Sequence, residues 1–287
     1  MLLCCYRSRE SKGVAAEMDK EKRLEIVEGR DYKVVKGNDI IQKARYELGL
    51  AEIKAFSFII SKIRPNDQPF QEYSFTINEY CNILGIETNN GKNIRTVKKS
   101  LKSLVDKSFF LTLDDGTETT VSWLNKVWIN KGTGRIKVRL DDDLQKYVTN
   151  LYNNFTQYEL FCTLPMRSTY SIRIYELLKS YAYQGKQHTF DVDLLKKQLC
   201  CEHYKRFQDF RRKVLEVATK EINEYTDLEV SWEPVKEGKR FTCITFTIDQ
   251  RDTWGRLETM FNANNVLQKE QVRLEDYLEE LEKGKKQ

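Results

Sequence analysis

The stretch YSFTINEYCNILGI, from Tyr73 to Ile86, has a counterpart later in the chain, HTFDVDLLKKQLCC, from His188 to Cys201. Each copy is followed by a basic amphipathic segment and then by β-rich sequence, Ser108 to Leu113 after the first and Leu228 to Trp232 after the second. A unit that recurs with its flanking elements indicates duplication. We therefore predict two domains of one kind.

The first copy carries the signals of a short helix. Thr76 is a good N-cap with Glu79 three residues on, and Gly85 marks the C-terminal end. Two helical patterns precede it, in NDIIQKARYEL and AEIKAFSFIISKIR. A second amphipathic helix follows, with its apolar face formed by Ile94, Val97, Leu101, Leu104 and Val105. Because SFFLTL, TTVSWL and RIKVRL then alternate like strands, the order predicts a winged helix-turn-helix.

The second copy lies in a similar setting. A linker helix is expected from Asp141 to Asn153, and the next helix has Ser168 as its cap. Its core stripe is Ile172, Tyr175, Leu178 and Tyr181. After DVDLLKKQL, a further helix presents an apolar face of Phe207, Phe210, Val214, Val217, Ala218, Ile222 and Tyr225. The strands LEVSWEPV and FTCITFTI, joined by KEGKR, complete a second wing.

These patterns predict an α+β fold with two tandem winged helix-turn-helix domains related by internal duplication. We expect a flexible N-terminal extension at 1–32 and a first winged-helix domain at 33–150. The second winged-helix domain is expected at 151–250. An acidic helical C-terminal tail at 251–287 would bind a partner or be held loosely.

The composition narrows the class of protein. The chain of 287 residues has 48 Lys and Arg against 43 Asp and Glu, so its net charge of +5 is modest. Any anion binding must therefore come from where the charges lie. No run approaches the roughly 18 apolar residues of a membrane span, and MLLCCYRSRE lacks the apolar core of a secretion signal. A cytoplasmic protein without membrane partners, whose seven cysteines are reduced, is expected.

Both repeated helices combine an apolar face with long hydrogen-bond donors, as a helix that enters a DNA groove must. The candidate DNA-binding residues around the second helix are Lys205, Arg206, Gln208, Arg211, Arg212 and Lys213. Those of the first are Lys92, Asn93, Arg95, Lys98, Lys99 and Lys102. The second cluster is denser and includes one acid, Asp209, which suits base contacts, whereas the more even spread in the first suits phosphates. One basic helix alone would indicate a solvated face; its recurrence favours DNA.

The tips of the two wings also carry cations. They are Lys236, Lys239 and Arg240 in the second domain, and Lys131 and Arg135 in the first. Such residues reach an adjacent groove or the DNA backbone in a winged helix. Simple solvation explains any single wing lysine equally well.

The residue inventory argues against two classes of enzyme. In GIETNNGKN, five residues separate Gly85 from Gly91 where a phosphate loop has four, and Asn93 stands where Ser or Thr would hold magnesium. A rolling-circle nickase would place two histidines around one apolar residue, whereas His188 and His203 lie fifteen positions apart. We predict no catalytic residues.

A metal site is also disfavoured. Cys200, Cys201 and His203 in CCEH resemble half of a zinc site, but no second ligand pair with zinc spacing occurs in the sequence. A turn with a buried cysteine is the better interpretation. No metal or cofactor is predicted.

The segment TLPMRSTYSIRIYELLKSY resembles the initiator proteins of theta-replicating, iteron-containing plasmids. Those proteins share a closely similar run, here Ser168, Tyr170, Ser171, Arg173, Tyr175, Glu176, Leu177 and Leu178. KEINEYTDLEV, from Lys220 to Val230, and the early LGLAEIKAF are also similar. The resemblance covers Lys33 to Ile248.

This resemblance implies a protein that binds directly repeated origin sites of double-stranded DNA as a monomer and an operator of its own gene as a dimer. It assigns the main sequence-specific contacts to the second domain, at Lys205 to Lys213. Backbone contacts and the dimer surface would belong to the first domain, where Trp123, Val127 and Trp128 in WLNKVWI form either an interface or ordinary core. Host helicase and replication proteins would be further partners.

The sequence thus predicts a replication initiator that binds DNA and performs no chemistry of its own. A winged-helix transcriptional repressor is the alternative, since it shares every DNA-binding feature. An adaptor that uses winged helices only for protein contacts is disfavoured by the basic helices.

Overall fold

The computed structural model describes residues 32–267 apart from 65–66, 68–69, 88–90, 114, 150 and 152. The predicted N-terminal extension up to residue 31 and the part of the predicted tail at 268–287 lie outside the described residues. Within the described part, no helix is both long enough and apolar enough to cross a membrane.

The first unit has the element order of a winged helix. It begins with β1 (Lys33–Gly37), α1 (Asn38–Lys43) and α2 (Leu50–Ile60). The helix-turn-helix follows as β2 (Glu72–Thr76), α3 (Ile77–Leu84) and α4 (Gly91–Asp106). The strands are β3 (Ser108–Thr112), β4 (Glu118–Ser122), β5 (Leu124–Ile129) and β6 (Arg135–Leu140).

The second unit repeats the order helix, strand, helix, helix and wing, with two strands after the basic helix where the first unit has four. It is reached through α5 (Asp142–Gln145), β7 (Phe155–Glu159) and a short 3₁₀ helix, Leu160–Cys162. The helices and strand that follow are α6 (Thr169–Tyr181), β8 (Gln187–Asp191) and α7 (Val192–Gln198). Next come α8 (Phe207–Phe210), a π-helical turn at Arg211–Leu215 and α9 (Glu216–Tyr225). The wing is β9 (Leu228–Glu237) and β10 (Arg240–Gln250), after which residues 253–267 form α10.

The two copies of the repeated motif adopt the same local structure. The hydroxyl of Thr76 accepts a hydrogen bond from the backbone N–H of Glu79 at 3.0 Å, as predicted, and Gly85 ends α3 with a φ of 68°. In the second copy, the carboxylate of Asp191 accepts from the N–H of Leu194 at 2.8 Å. Each cap satisfies an N–H that has no partner within its helix. A strand therefore passes directly into a helix in both copies.

The sheets confirm that the units are related. The strand before each helix-turn-helix pairs antiparallel with the last strand of its wing, so Tyr73 lies opposite Val138 and Phe190 lies opposite Ile244. The strand orders are β2-β6-β5 and β8-β10-β9. The predicted α+β fold of two tandem winged-helix domains is therefore correct.

The connection between the units differs from the helix predicted over 141–153. Of the described residues in that stretch, only Asp142–Gln145 are α-helical, and β7 then pairs antiparallel with β1, with Tyr158 opposite Val34. This strand pair was not predicted, because a five-residue strand whose partner lies more than a hundred residues away leaves no local period that identifies the pairing.

Helix α6 is buried on all sides. Ser168 caps it as predicted, accepting from the N–H of Ser171 at 3.4 Å. Every residue from Ser171 to Leu178 is buried, including Arg173 and Glu176. The helix packs against α1 of the first unit and α9 of the second. The predicted single stripe thus understates its burial, because α6 lies between the two units.

An aromatic cluster fills the first unit. The centre of the Trp123 ring lies 4.6 Å from that of Phe56 and 4.3 Å from that of Phe109. The centre of the Tyr46 ring is 4.8 Å away, and Trp123 is 1% exposed. Trp123 is therefore core and cannot serve a dimer surface in this conformation. Its predicted companion Trp128 is only half-buried.

The first part of the predicted C-terminal tail is packed against the protein rather than loosely held. In α10 the buried apolar side chains are Leu257, Met260, Ala263 and Leu267. The carbonyl oxygen of Leu267 would lie 3.0 Å from a Cβ atom built on Gly85. Helix α10 therefore returns from the second unit to the end of α3 in the first. The spacing of its apolar residues explains why, because a stripe of this kind must be covered.

We predict that Gly85→Ala destabilises the protein more than Gly116→Ala does. Both glycines have left-handed φ values, 68° and 85°, so alanine should cost about 1–2 kcal/mol at either position. Only at Gly85 does the added methyl also meet backbone, at Leu267, whereas nothing lies within 4 Å at Gly116. Urea unfolding measures both losses. Equal losses would show that α10 does not pack against Gly85.

Candidate nucleic-acid interface

Helix α4 presents the first set of predicted DNA-binding residues. Val97, Leu101 and Leu104 are buried against the first unit. The cations on the remaining surface are exposed at Lys92, Arg95, Lys99 and Lys102 and half-buried at Lys98. The helix therefore has one face in the core and a cationic face outside, as predicted.

Asn93 and Lys102 of this set bond to neighbouring protein groups. The side-chain amide of Asn93 donates to the carbonyl of Glu87 at 3.2 Å, which ties the start of α4 to the preceding turn. Lys102 forms an exposed ion pair with Asp106 at 2.6 Å. An exposed pair of this kind contributes little to stability, so DNA phosphate can compete for the ammonium.

The second set surrounds α8 and the π-helical turn, which together with α9 we call the second basic helix (207–225). Arg206 occupies the N-cap position of α8. All six predicted residues are exposed: Lys205, Arg206, Gln208, Arg211, Arg212 and Lys213. In the part of the chain that the structure describes, these six side chains at the N-terminal turns are therefore open to solvent.

The π-helical turn changes which residues face the core. In the predicted uninterrupted helix, Val217 belongs to the apolar face. In the structure Val217 is 36% exposed, whereas Leu215 is fully buried beside Val214. A π turn holds one more residue than an α turn, and this shifts the faces of the helix that follows it. The prediction for Val217 was therefore wrong, and the turn itself consists of three exposed cations followed by two apolar residues.

The cations of the second basic helix differ in how far they are engaged. The Nε of Arg211 donates to Glu216 at 2.8 Å, and its guanidinium lies 5.9 Å from the centre of the Trp232 ring. Arg212 lies 3.8 Å from the carboxylate of Asp209, a longer contact than that of Arg211, and its side chain is 72% exposed. Arg212 is therefore free to reach outward, whereas Arg211 is oriented by its neighbours.

The second wing places its cations at an exposed hairpin tip. Gly238 makes the turn with a φ of 61°, and Lys239 follows it in the open. The ammonium of Lys236 lies 4.6 Å from the centre of the Phe241 ring, and Arg240 pairs with Asp193 at 2.5 Å. All three wing cations are exposed.

The first wing has a feature that the sequence analysis missed. Two ammonium groups lie near the ring of Trp128: the Nζ of Lys126 is 5.1 Å from the ring centre, and the Nζ of Lys137 is 5.6 Å from it. A cleft beside it is bordered by Arg135, while Lys131 lies exposed in the turn. The alternation of β5 and β6 could have revealed this face, because Trp128 lies opposite Lys137 in the antiparallel pair.

The CCEH segment is a tight turn after α7. Cys201 is buried, and Cys200 has a positive φ of 54°. The ring of His203 packs on Tyr204 with centroids 4.1 Å apart. Among the described residues, no group of three or more His, Cys, Asp and Glu side chains is arranged to hold a metal ion.

Comparison with protein families gives two matches. A family described as "Initiator Replication protein, WH1" matches residues 33–179, and one described as "Initiator Rep protein, WH2" matches residues 191–248. The chain belongs to the initiator replication protein family. Its two winged-helix units are the WH1 and WH2 domains of that family, and the predicted family is therefore correct. The WH1 match extends beyond the first helix-turn-helix and wing and ends at residue 179, within α6, so the family boundary falls after most of the helix that opens our second unit.

Individual relatives agree with this family. The initiator chain is 23% identical over 227 residues to a replication initiation protein of Escherichia coli, covering 75% of this chain and 69% of the relative. The crystal structure of Pi initiator protein in complex with iteron DNA superposes with a TM-score of 0.63 at 19% identity. That match covers 78% of this chain and 99% of the other, and it shows a common fold.

We expect the π turn to determine how much stability is lost when Leu215 and Val217 are each replaced by alanine. Leu215→Ala should destabilise the protein by about 2–4 kcal/mol because it leaves a cavity. Val217→Ala should cost less than about 1 kcal/mol, since this side chain is partly exposed. Chemical denaturation of both variants checks the order. A larger loss at Val217 would indicate a continuous α-helix.

Proposed function

We propose that this protein initiates plasmid replication by binding directly repeated origin sequences in duplex DNA through both winged-helix domains. The observation that carries this proposal is the pair of exposed cationic helices, α4 and the second basic helix, at equivalent places in duplicated units. The relative named Pi initiator protein, which has the same fold, was crystallised with iteron DNA, and this supports the same class of ligand here.

The two helices would divide the work of recognition. The second basic helix would read base edges, since Arg206, Gln208 and Arg212 lie exposed at its N-terminal turns, where such helices enter the major groove. Helix α4 would contact phosphates through Arg95, Lys98 and Lys99, whose ammonium and guanidinium groups are spread along the helix. The wing cations would reach the flanking backbone.

The protein would open the duplex without chemistry of its own. Binding energy would distort the DNA, and host helicase and replication proteins would join the opened origin. A dimer of the same chain would repress its own gene. The half-buried Val127 and Trp128 of β5 remain the candidates for that dimer surface, since Trp123 is core.

A transcriptional repressor would use the same DNA-binding surfaces, and the arrangement of sites separates the two functions. An initiator requires tandem direct repeats spaced by about two helical turns, so that successive chains bind the same face of the DNA. We expect footprinting of the DNA beside the gene to show such repeats. Protection of an inverted repeat alone would favour the repressor.

Alanine substitutions of charged residues test whether the second basic helix contacts bases and α4 contacts phosphates. Arg212→Ala or Arg206→Ala should cost about 1–3 kcal/mol at the cognate repeat and relax its sequence preference. Lys98→Ala should weaken all sequences similarly and lower the salt slope by about 1. Fluorescence anisotropy at several salt concentrations measures both effects.

The matched control is Lys186→Ala, which removes an exposed cation of the second unit that pairs with Asp249 and is not among the predicted DNA-binding residues. This variant should bind as the wild type does. If the arginine variants lose no more affinity than Lys186→Ala, the second basic helix is not the DNA-reading element.

A further inference from the structure

Arg173 joins the two units through backbone carbonyls. Its guanidinium donates to the carbonyl oxygens of Tyr46 at 2.9 Å and Ala44 at 3.2 Å, both in the first unit. It also donates to the carbonyl of Gln198 at 2.6 Å, at the end of α7 in the second. The planar fork of arginine lets one side chain make all three bonds. A single buried residue of α6 therefore ties the first unit to the helix-turn-helix of the second.

A buried ion pair fixes the same helix from another direction. The ammonium of Lys36 in β1 lies 2.6 Å from the carboxylate of Glu176 in α6, and both side chains are 2% exposed. The hydroxyl of Tyr158 in β7 donates to the same carboxylate oxygen. Burial and the neighbouring carboxylate raise the pKa of Tyr158, so the phenol keeps its proton and remains a donor. The strand pair β1–β7 is thereby held on α6.

Direct bonds between the units complete the network. The side-chain amide of Gln198 donates to the carbonyls of Ile41 at 3.1 Å and Gln42 at 2.8 Å. The amide of Gln42 in turn donates to the hydroxyl of Ser180 at 3.0 Å. On the far side of α6, Tyr175 and Lys179 bond Asp227 at 2.8 and 2.5 Å, just before β9. Helix α6 is thus bonded both to α1 of the first unit and to the residue that precedes the second wing.

We propose that Arg173 and the Lys36–Glu176 pair are positioning residues that fix the spacing and angle between α4 and the second basic helix, and so set the distance between the two DNA segments that one chain binds. This inference rests on the proposed function. None of these residues is exposed to DNA, so they would act on binding only through the placement of the two helices.

The physical argument concerns effective concentration. Two modules on a rigid frame bind one duplex as a single event, with the second contact made at no further cost of association. Directional bonds to three carbonyls resist rotation of the units, which apolar packing alone does less well because it is not directional. A loosened frame would keep each module's own affinity and lose the gain from joint binding.

The test uses full-length chains and a duplex that the wild type selects from random-sequence DNA. From this duplex we derive a shortened one that keeps only the segment bound by the second unit. We also derive a spacing series, in which base pairs are added or removed between the DNA segments bound by the two units. The first variant is Arg173→Met, which preserves the length of the side chain. A cleft bordered by Arg173, Tyr46 and Cys200 lies beside this side chain.

Arg173→Met should bind the intact duplex about tenfold more weakly. It should bind the shortened duplex within about twofold of the wild type, since the second unit's own surface is unchanged. The wild type should show one sharp optimum of spacing, and the variant a flat profile. General loss of folded protein would lower all affinities together and leave the optimum sharp, so the profile separates positioning from instability.

A double variant, Lys36→Met with Glu176→Gln, tests the ion pair without leaving an unpaired buried charge. It should flatten the spacing profile in the same way, while Lys186→Met, a surface control, should not. A sharp optimum in both Arg173→Met and the double variant would overturn the inference and leave the proposed function standing. Failure of the wild type to select any duplex would overturn the proposed function and this inference together.

Discussion

The burial of α6 between the two winged-helix units is the constraint on which the arrangement of this protein depends. A helix buried on every side must satisfy its charged groups within the protein, because the cost of leaving them unpaired is large. Arg173 and Glu176 meet this requirement through carbonyls and an ammonium group from both sides of the helix.

The residues that carry the resemblance to the initiator family therefore have structural roles. Ser168 caps α6, Tyr175 bonds Asp227, and Arg173 and Glu176 hold the units together. Asn223, in the other similar segment, bonds both the N–H and the carbonyl of Val230 at the start of β9.

The cationic surfaces follow from the way in which each helix divides its faces between the core and the solvent. Helix α4 and the second basic helix each give one side to the core of their unit, so their long donors have only the outside to occupy. In the second unit the π turn extends this effect, since Arg211, Arg212 and Lys213 are consecutive and all exposed. The proposed DNA binding would therefore need no separate site, since it would use the helix faces that folding leaves exposed.

The sequence predicted the fold well where the signals are local. Thr76, Gly85 and Ser168 act as the predicted helix signals, because caps depend on a few adjacent residues. The prediction failed where the structure depends on distant residues, since the β1–β7 pair joins segments far apart in the sequence. It also failed at the π turn, which buries Leu215 and exposes Val217 although the composition of this segment does not indicate such a turn. The exposure of Arg206 and Arg212 follows from the helical pattern. The alternation of β5 and β6 also carries a signal for the lysines near Trp128, but using it requires the register that places Trp128 opposite Lys137, which the sequence analysis did not assign. Helix α10 packs on the first unit because its apolar stripe needs a partner, and the sequence does not say which surface provides it.

Cross-linking from both basic helices in one complex tests the central claim most directly. A photoreactive residue in place of Lys99 on α4 and, in a second preparation, in place of Gln208 on α8 would mark the DNA next to each helix. With one chain bound per duplex, we predict cross-links from both positions, at separate segments of the same DNA. Cross-links from only one position, or from both only when two chains share the duplex, would contradict the claim that the two units of a single chain bind one double helix together.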